Sequence, residues 1–596
     1  MIRKLLQWIL ICVPVLYLAL SWSIVFFYQH HSYDYLLAYY KRNWPTAFEV
    51  TVFAERCLTP AWYKWVVSNA LWLQIAIGLA LAIYFLLLKV IRQGVQQLLD
   101  DIAWVLSFIK RVLLGLTVSE KWWLMVLFVC IGCYRIYFFV KFPMHPDEAA
   151  SYLFFSRQGT LMAAVNYVTT NNHIFLNIVC SFLAKLSFLS PKWVMRLPAM
   201  AGDMALLLGI FCVVKHFGGF ARATGIVAGV AFCYMLSYYA TQGRGYQWQE
   251  VCAVPGMCGA WWYYLSPAGY AKRGNGLFIV SSVIGFYINP LFVYPFLALM
   301  LAAGYCYIKG ENRQSLLSFV KGVMAIVLLT FVLYLPLIVT SNWNALMNNG
   351  FINENQHLSD LANQVSSLVF NFNFALNYGS AGIAVLAACL VFCLVMYYRG
   401  VTEGRFYKMM LVWFVATIVS FAMITVYQKI YPLERALCFW ILIVDIIFLN
   451  VVYDFLNRYF KQRAVLLFAL LITVKVLFSM RTIYWPKYAI DKKEQVVIYN
   501  NIQPQFDTLV AMDVNTWQVT HSDDYYSMFL PLYLITHKRE ERIVLNKEKG
   551  MADVIFLPDN CMPGFDLKGY RLWKGEQVTA KGKLLWIYAK EKLIVR

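Results

Sequence analysis

Asp147 and Glu148 are adjacent carboxylates in the stretch Phe142-Pro143-Met144-His145-Pro146-Asp147-Glu148-Ala149-Ala150-Ser151-Tyr152, close behind His145 and held by two prolines. A carboxylate so placed can take the proton of a hydroxyl nucleophile. Two carboxylates beside an imidazole also offer oxygen and nitrogen ligands to a divalent metal. The stretch follows the apolar run Trp122 to Val140, whose one charge is Arg135, so these groups stand at the mouth of a membrane helix. A plainer reading gives Asp147 the role of cap on a helix from Glu148 to Ser156.

The elements that position these groups follow from composition. Of 596 residues, 61% are hydrophobic and only 14% charged, the balance of an integral membrane protein. The net charge of +20 falls in short loops between apolar runs, where it orients the chain in the bilayer, and nucleic acid is excluded as a partner. All 14 cysteines except Cys57 and Cys561 lie in apolar runs, and read as small apolar side chains. Met1-Ile2-Arg3-Lys4 before Leu5 to Tyr28 reads as an uncleaved anchor, because the run is too long for a signal peptide and no small-x-small site closes it.

Runs long enough to cross ~30 Å of hydrocarbon predict thirteen spans, at 5–27, 65–91, 122–140, 198–215, 222–240, 249–267, 276–289, 291–308, 316–339, 381–398, 409–427, 436–454 and 463–480. Asn289-Pro290 makes the seventh and eighth a candidate broken hairpin. Ile174 to Ser190 is read as an interfacial helix, since counting it as a span reverses the charge asymmetry of every later loop. With the N-terminus cytoplasmic, Arg92, Lys110, Arg111, Lys215, Arg222, Lys272, Arg273, Lys309, Arg313, Arg399, Arg405, Lys408, Arg458, Lys461 and Arg463 fall inside, whereas Thr340 to Ser380 outside has no Lys or Arg. Asp147 is thereby placed on the outer face. Segment 92–121 reads as an amphipathic helix on the inner leaflet. Three parts follow: 1–119, a two-span extension with that linker; 120–483, a membrane core; and 484–596, a small outer α/β domain. In the last, strands are predicted at Thr508–Met512, Arg542–Leu545, Ala552–Leu557 and Leu584–Ala589 and a helix at 522–538, with no Gly-rich phosphate loop.

Outward-facing carboxylates have no access to cytoplasmic nucleotide sugars, so an activated donor comes from the bilayer, as polyprenyl-phosphate sugars do. Transfer from such a donor needs a base for the acceptor hydroxyl and cations for the departing phosphate. Arg244 lies in Thr241-Gln242-Gly243-Arg244-Gly245-Tyr246, where glycines permit close approach of a ligand. Lys429 and Arg435 flank Tyr431-Pro432-Leu433-Glu434, and Arg196 precedes Leu197-Pro198. His145, His173 and His357 share the outer face. With Asp147 or Glu148 they are candidate metal ligands, although no two have ligand spacing; His173 in Asn171-Asn172-His173 is equally an acceptor-binding candidate. Asp445 and Lys475, costly in lipid, are expected to face the bundle interior.

The acidic first outer loop with its tyrosine, the interfacial helix and the Arg196-Leu197-Pro198 entry into the next span resemble the GT-C superfamily of lipid-phosphate-sugar glycosyltransferases. The closest groups are the protein O-mannosyltransferase-like family and the aminoarabinose transferase of lipid A. The resemblance covers about 120–596, including Lys429 to Pro432 and the terminal strand Leu584 to Ala589; residues 1–119 have no counterpart in it. It implies a catalytic or metal-proximal acid at Asp147 with Glu148 beside it, inversion at the sugar carbon, and a substrate-positioning role for Tyr152.

The sequence therefore predicts an all-α polytopic membrane protein with a small α/β domain, placed in a bacterial cytoplasmic membrane. Asp147 is the base, Glu148 orients the acceptor or binds a metal, and Arg244 and Arg435 hold the phosphate, with Arg196, Tyr246 and Lys429 nearby. The acceptor is a glycan, lipid or protein. No cofactor is required, a divalent metal being the one candidate. Two rivals are a flippase of lipid-linked sugars, which calls for inverted repeats, and a ligase or polymerase using a lipid-diphosphate donor.

Overall fold

The computed structural model describes residues 2–43, 53–54, 57–142, 144–167, 172–264, 273–308, 313–342, parts of 387–395, 404–428 and 438–481, and, beyond them, five short strands. Among these residues five helices are long and apolar enough to cross a membrane, or up to seven if each bent pair is one span. The chain is an integral membrane protein, mostly helical.

The runs read as single spans are not all straight. The 65–91 run divides into Pro60–Ser68 and Ala70–Leu86, bent by 64°, and the 222–240 run into Phe220–Ala231 and Tyr234–Ala240, bent by 73°. Hydropathy has no term for such a break, since both halves are equally apolar. The Asn289-Pro290 break is present: helix Asn275–Ile288 ends there, the Asn289 side chain accepts from Leu291 N, and a short 3-10 turn leads into Val293–Ile308. The interfacial segment forms helix Ile174–Leu183, whose ten residues are half of what a span requires. Its Ile174, Leu176, Asn177, Cys180 and Ser181 are buried against protein. The amphipathic linker is one 27-residue helix, Leu88–Leu114.

Helix Val118–Lys141 delivers the acidic loop. It starts with a reciprocal cap in which Thr117 Oγ1 accepts from Glu120 N and the Glu120 carboxylate accepts from Thr117 N. It packs against helices Pro191–Gly218 and Phe220–Ala231, sharing with them a core that includes Ile131, Phe138, Leu207, Phe211, Ile226 and Val230. The N-terminal helix Ile2–His30 packs on Arg313–Ser341 and Ala70–Leu86. Its Leu18, Val25 and Tyr28 share a second cluster with Ala150, Phe154, Phe155 and Ala163 of the first loop, so the N-terminal segment backs that loop directly. Cys57 is buried in this cluster, while Cys561 lies outside the described residues.

Asp445 and Lys475 do face inward. The Lys475 ammonium donates to both oxygens of Asp445 between helices Cys438–Phe460 and Ala464–Ser479. Pairing offsets part of the cost of burying each charge.

Beyond 484 the described residues form one mixed sheet of strands β1 (Trp517–Val519), β2 (Ile543–Leu545), β3 (Val554–Pro558), β4 (Tyr570–Gln577) and β5 (Leu584–Lys590), in the order β2-β1-β3-β5-β4. β1 runs parallel to β2 and β3, and β5 antiparallel to β3 and β4. Three of the sequence-predicted strands correspond to β2, β3 and β5. Residues 508–512 and 522–538 lie outside the described residues. β4 escapes pattern reading because Tyr-Arg-Leu-Trp-Lys-Gly-Glu-Gln does not alternate, and its pairing slips between Leu572 and Lys574.

Candidate active site

The loop after Val118–Lys141 turns into the short helix Pro146–Ser151, followed by a wide turn at Tyr152–Ser156. The cap is His145 rather than Asp147. The ring Nδ1 of His145 accepts from Asp147 N at 3.2 Å, and Glu148 Oε2 accepts from His145 N at 2.8 Å. With the cap supplied by histidine, the Asp147 side chain is left to point elsewhere.

It points to Arg244, whose Nη1 lies 2.7 Å from Asp147 Oδ2; the guanidinium is buried and the carboxylate 25% exposed. Arg244 also sits over the ring of Tyr246, 5.1 Å from its centroid. His145 Nδ1 is 3.6 Å from the same Asp147 oxygen. Burial pulls the His145 imidazole below its usual 6.5, against the opposing charge of Asp147 and with the help of Arg244.

Glu148 is placed differently from its neighbour. Its side chain is fully buried and its oxygens are taken: Arg196 Nε donates to Oε1 at 2.8 Å, Arg196 Nη2 to Oε2 at 2.6 Å, and the Gly243 amide also donates to Oε1. Burial alone would raise its pKa, but the charge and hydrogen bonds of Arg196, with the Gly243 and His145 amides, outweigh burial and leave it below 4.5. Arg196 further donates to the carbonyls of Phe139 and Phe142, each at 2.9 Å. This corrects two sequence expectations. Arg196 braces the end of Val118–Lys141 and the acidic loop rather than facing a ligand, and Glu148 is the anion it braces.

The glycines around Arg244 have a different use from the one expected. A Cβ on Gly243 would stand 2.5 Å from Met195 Cβ and 2.8 Å from the Met195 backbone, and one on Gly245 would stand 2.7 Å from the His173 ring. The close approach is to the protein itself, and it seats the Arg244 turn against helix Pro191–Gly218 and the His173 loop. His173 and Tyr246 are buried, with ring centroids 5.1 Å apart, so both line the support of the site rather than its mouth. Tyr152, half-buried, opens the wide turn after the acidic helix. A chain of hydrogen bonds ties the loop together: Ser156 Oγ donates to Asn177, Asn177 to Asn172, and Asn172 to the carbonyls of Ala163 and Asn166. Lys429, Arg435 and His357 lie outside the described residues.

Among the described residues, the candidate ligands do not fit a metal. Both carboxylates are ion-paired with arginines, His145 Nδ1 is used by the cap, and among the described residues no group of three or more His, Cys, Asp or Glu side chains converges.

Arg135, Asp203 and Glu250 interrupt apolar runs in the same way as Asp445 and Lys475. Arg135, fully buried, donates to Asp203 Oδ2 at 3.0 Å, to Ser237 Oγ at 2.6 Å and to the Ala231 carbonyl at 2.7 Å, spanning the 232–233 break.

No protein-family model and no curated protein matches the sequence. Among solved structures, the apo crystal structure of ArnT from Cupriavidus metallidurans matches with a TM-score of 0.51 at 11% identity, covering 80% of this chain and 99% of that one. The chain shares the ArnT fold. At that identity the likeness carries architecture, and the ArnT fold accounts for the helical membrane body on which the Asp147 loop is mounted.

Proposed function

We propose that the protein is a membrane glycosyltransferase of the GT-C type that moves a sugar from a polyprenyl-phosphate donor to an acceptor hydroxyl on the outer face. The observation that carries the reading is the Asp147–Arg244 pair, partly open and set beside the mouth of a membrane helix, in a chain with the ArnT fold. ArnT is a lipid A aminoarabinose transferase, which supports a lipid-linked donor and an envelope acceptor here. Asp147 takes the acceptor proton as the acceptor oxygen bonds to the anomeric carbon. The bond from that carbon to the phosphate oxygen breaks with inversion, and the phosphate leaves with the electron pair. Arg244, paired with Asp147 in the resting protein, is within reach of the phosphate that leaves beside it, and Arg435 is the second phosphate-binding cation.

In this reading Glu148 and Arg196 hold the loop, His145 fixes the turn at Asp147, and Tyr152 positions substrate. No step needs a metal. The thirteen-span topology, the cytoplasmic N-terminus and the outer C-terminal domain follow from the positive-inside argument. The test is sugar transfer by purified protein in vesicles containing polyprenyl-phosphate sugars, with mass spectrometry of lipids and glycans. A mass gain of one sugar residue on an acceptor, lost in Asp147→Asn, is expected. Flipping of the donor without a new glycosidic bond would instead establish the flippase reading.

A further inference from the structure

Below the Asp147 site, helix Tyr246–Tyr264 carries Glu250 one turn from Tyr246. Glu250 is completely buried, and neither of its carboxylate oxygens has a hydrogen-bond partner. Asp203 and Arg135 are the charged groups close enough to act on it. They already cancel each other, with Arg135 Nε 3.0 Å from Asp203 Oδ2. An ionised Glu250 would therefore leave one uncompensated negative charge, with no donor, inside a membrane bundle, which burial strongly disfavours.

Gln247, also fully buried, lies three residues earlier on the same helix. Its Nε2 donates to Asp203 Oδ1 at 3.1 Å. A carboxylate paired with arginine only accepts, so this bond fixes the amide orientation and turns Gln247 Oε1 away from Asp203. Oε1 is buried and has no donor either. One helix thus presents unsatisfied acceptors at i and i+3, on neighbouring positions of one face.

A single proton removes the uncompensated charge and gives Gln247 Oε1 a donor. We infer that Glu250 is a neutral acid, a site that holds one proton inside the helix bundle and donates it to Gln247 Oε1. The chain of hydrogen bonds then runs from Glu250 through Gln247 and Asp203 to Arg135, and from Arg135 to Ser237 and the Ala231 carbonyl. It joins the helix that begins just after Arg244 to the helix that ends just before Asp147, and it pins the break between Phe220–Ala231 and Tyr234–Ala240. Asp203 keeps its charge because both its oxygens accept, one from Arg135 and one from Gln247. Cys233 and Cys438 are the other titratable groups that interact with Glu250. Glu250 is a positioning residue in this scheme, and the scheme does not depend on sugar transfer.

The test is infrared spectroscopy of the full chain in lipid, with glutamate carboxyl carbons labelled by ¹³C. At neutral pH the wild type should show the carbonyl band of a protonated carboxylic acid, and Glu250→Gln should lose it. Glu250→Gln, whose amide supplies the same donor, should melt with the wild type, whereas Glu250→Ala should melt lower. Absence of the band, or its persistence in Glu250→Gln, overturns the inference. So does a wild type whose melting temperature rises with added sodium while that of Glu250→Gln does not, since the carboxylate would then be holding a cation. Should Glu250→Ala fail to fold, the labelled wild type and Glu250→Gln still decide.

Discussion

Arg244 Nη1 lies 2.7 Å from Asp147 Oδ2, joining the loop after Val118–Lys141 to the turn after Tyr234–Ala240 across 97 residues of sequence. In the proposed reaction this contact preassembles the base with a phosphate-binding cation. Asp147→Asn keeps the size and can still accept from Arg244, but it cannot take a proton. Its transfer rate in vesicles is expected to fall by roughly 10²–10⁴-fold, with unchanged yield and gel-filtration profile. Arg244→Lys, a point charge in place of a fork, is expected to lose about tenfold or more in kcat/KM. Near-normal transfer by either variant would remove that residue from the mechanism.

Glu148 and Arg196 predict a stability effect instead of a chemical one. Glu148→Gln leaves a buried guanidinium without its counterion, an expected loss of about 3–5 kcal/mol. Replacing both by apolar residues is expected to cost less than the sum of the two single changes. Thermal unfolding in detergent, followed for both singles and the double, measures the coupling.

Gly243→Ala and Gly245→Ala are expected to destabilise and to lower transfer, because the added methyl meets the Met195 backbone in one case and the His173 ring in the other. Overpacking of this kind costs about 1–3 kcal/mol. Gly304→Ala is the control. Nothing lies within 4 Å of a Cβ at that helical position, and the change is expected to be neutral or to stabilise by about 0.5–1 kcal/mol.

His145 predicts a dependence on pH. Its imidazole is held neutral by burial, below the ordinary 6.5, and its Nδ1 accepts the cap bond from Asp147 N. The stability this contributes is fully present above 6.5 and is lost as pH falls through the depressed value, where a protonated ring can no longer accept. Stability and transfer should therefore both decline on the acid side. In His145→Asn, whose side-chain oxygen can cap without titrating, that decline should be weaker. An identical acid limb in the variant would assign the loss to another group.

Much of the site was legible in one dimension. Asp147, Glu148, Arg196 and Arg244 all stand out as charges at the ends of apolar runs, and all four meet in the structure. Their partners were not legible. Glu148 and Arg196 were separated from ligand by burial that no local pattern records, and the glycines beside Arg244 were read as room for a substrate when they are room for Met195 and His173. His145 took the cap that Asp147 seemed suited to, because its ring nitrogen reaches back over a proline-started turn as a carboxylate oxygen would. Arg135, Asp203 and Glu250 carry the same sequence signal as Asp445 and Lys475, a charge inside an apolar run, and that signal names a buried pair without naming which charges meet.

The sequence by itself determined that this chain lives in a bilayer and which loop carries the acids, because hydropathy and charge placement act locally and additively along the chain. Only the tertiary structure decided which acid pairs with which arginine, where the apolar runs bend, and that Asp147 rather than Glu148 keeps a carboxylate partly open to solvent. The reason is geometric. Each pairing joins residues tens of positions apart, and a buried charge takes whichever partner the packed helices bring within 3 Å.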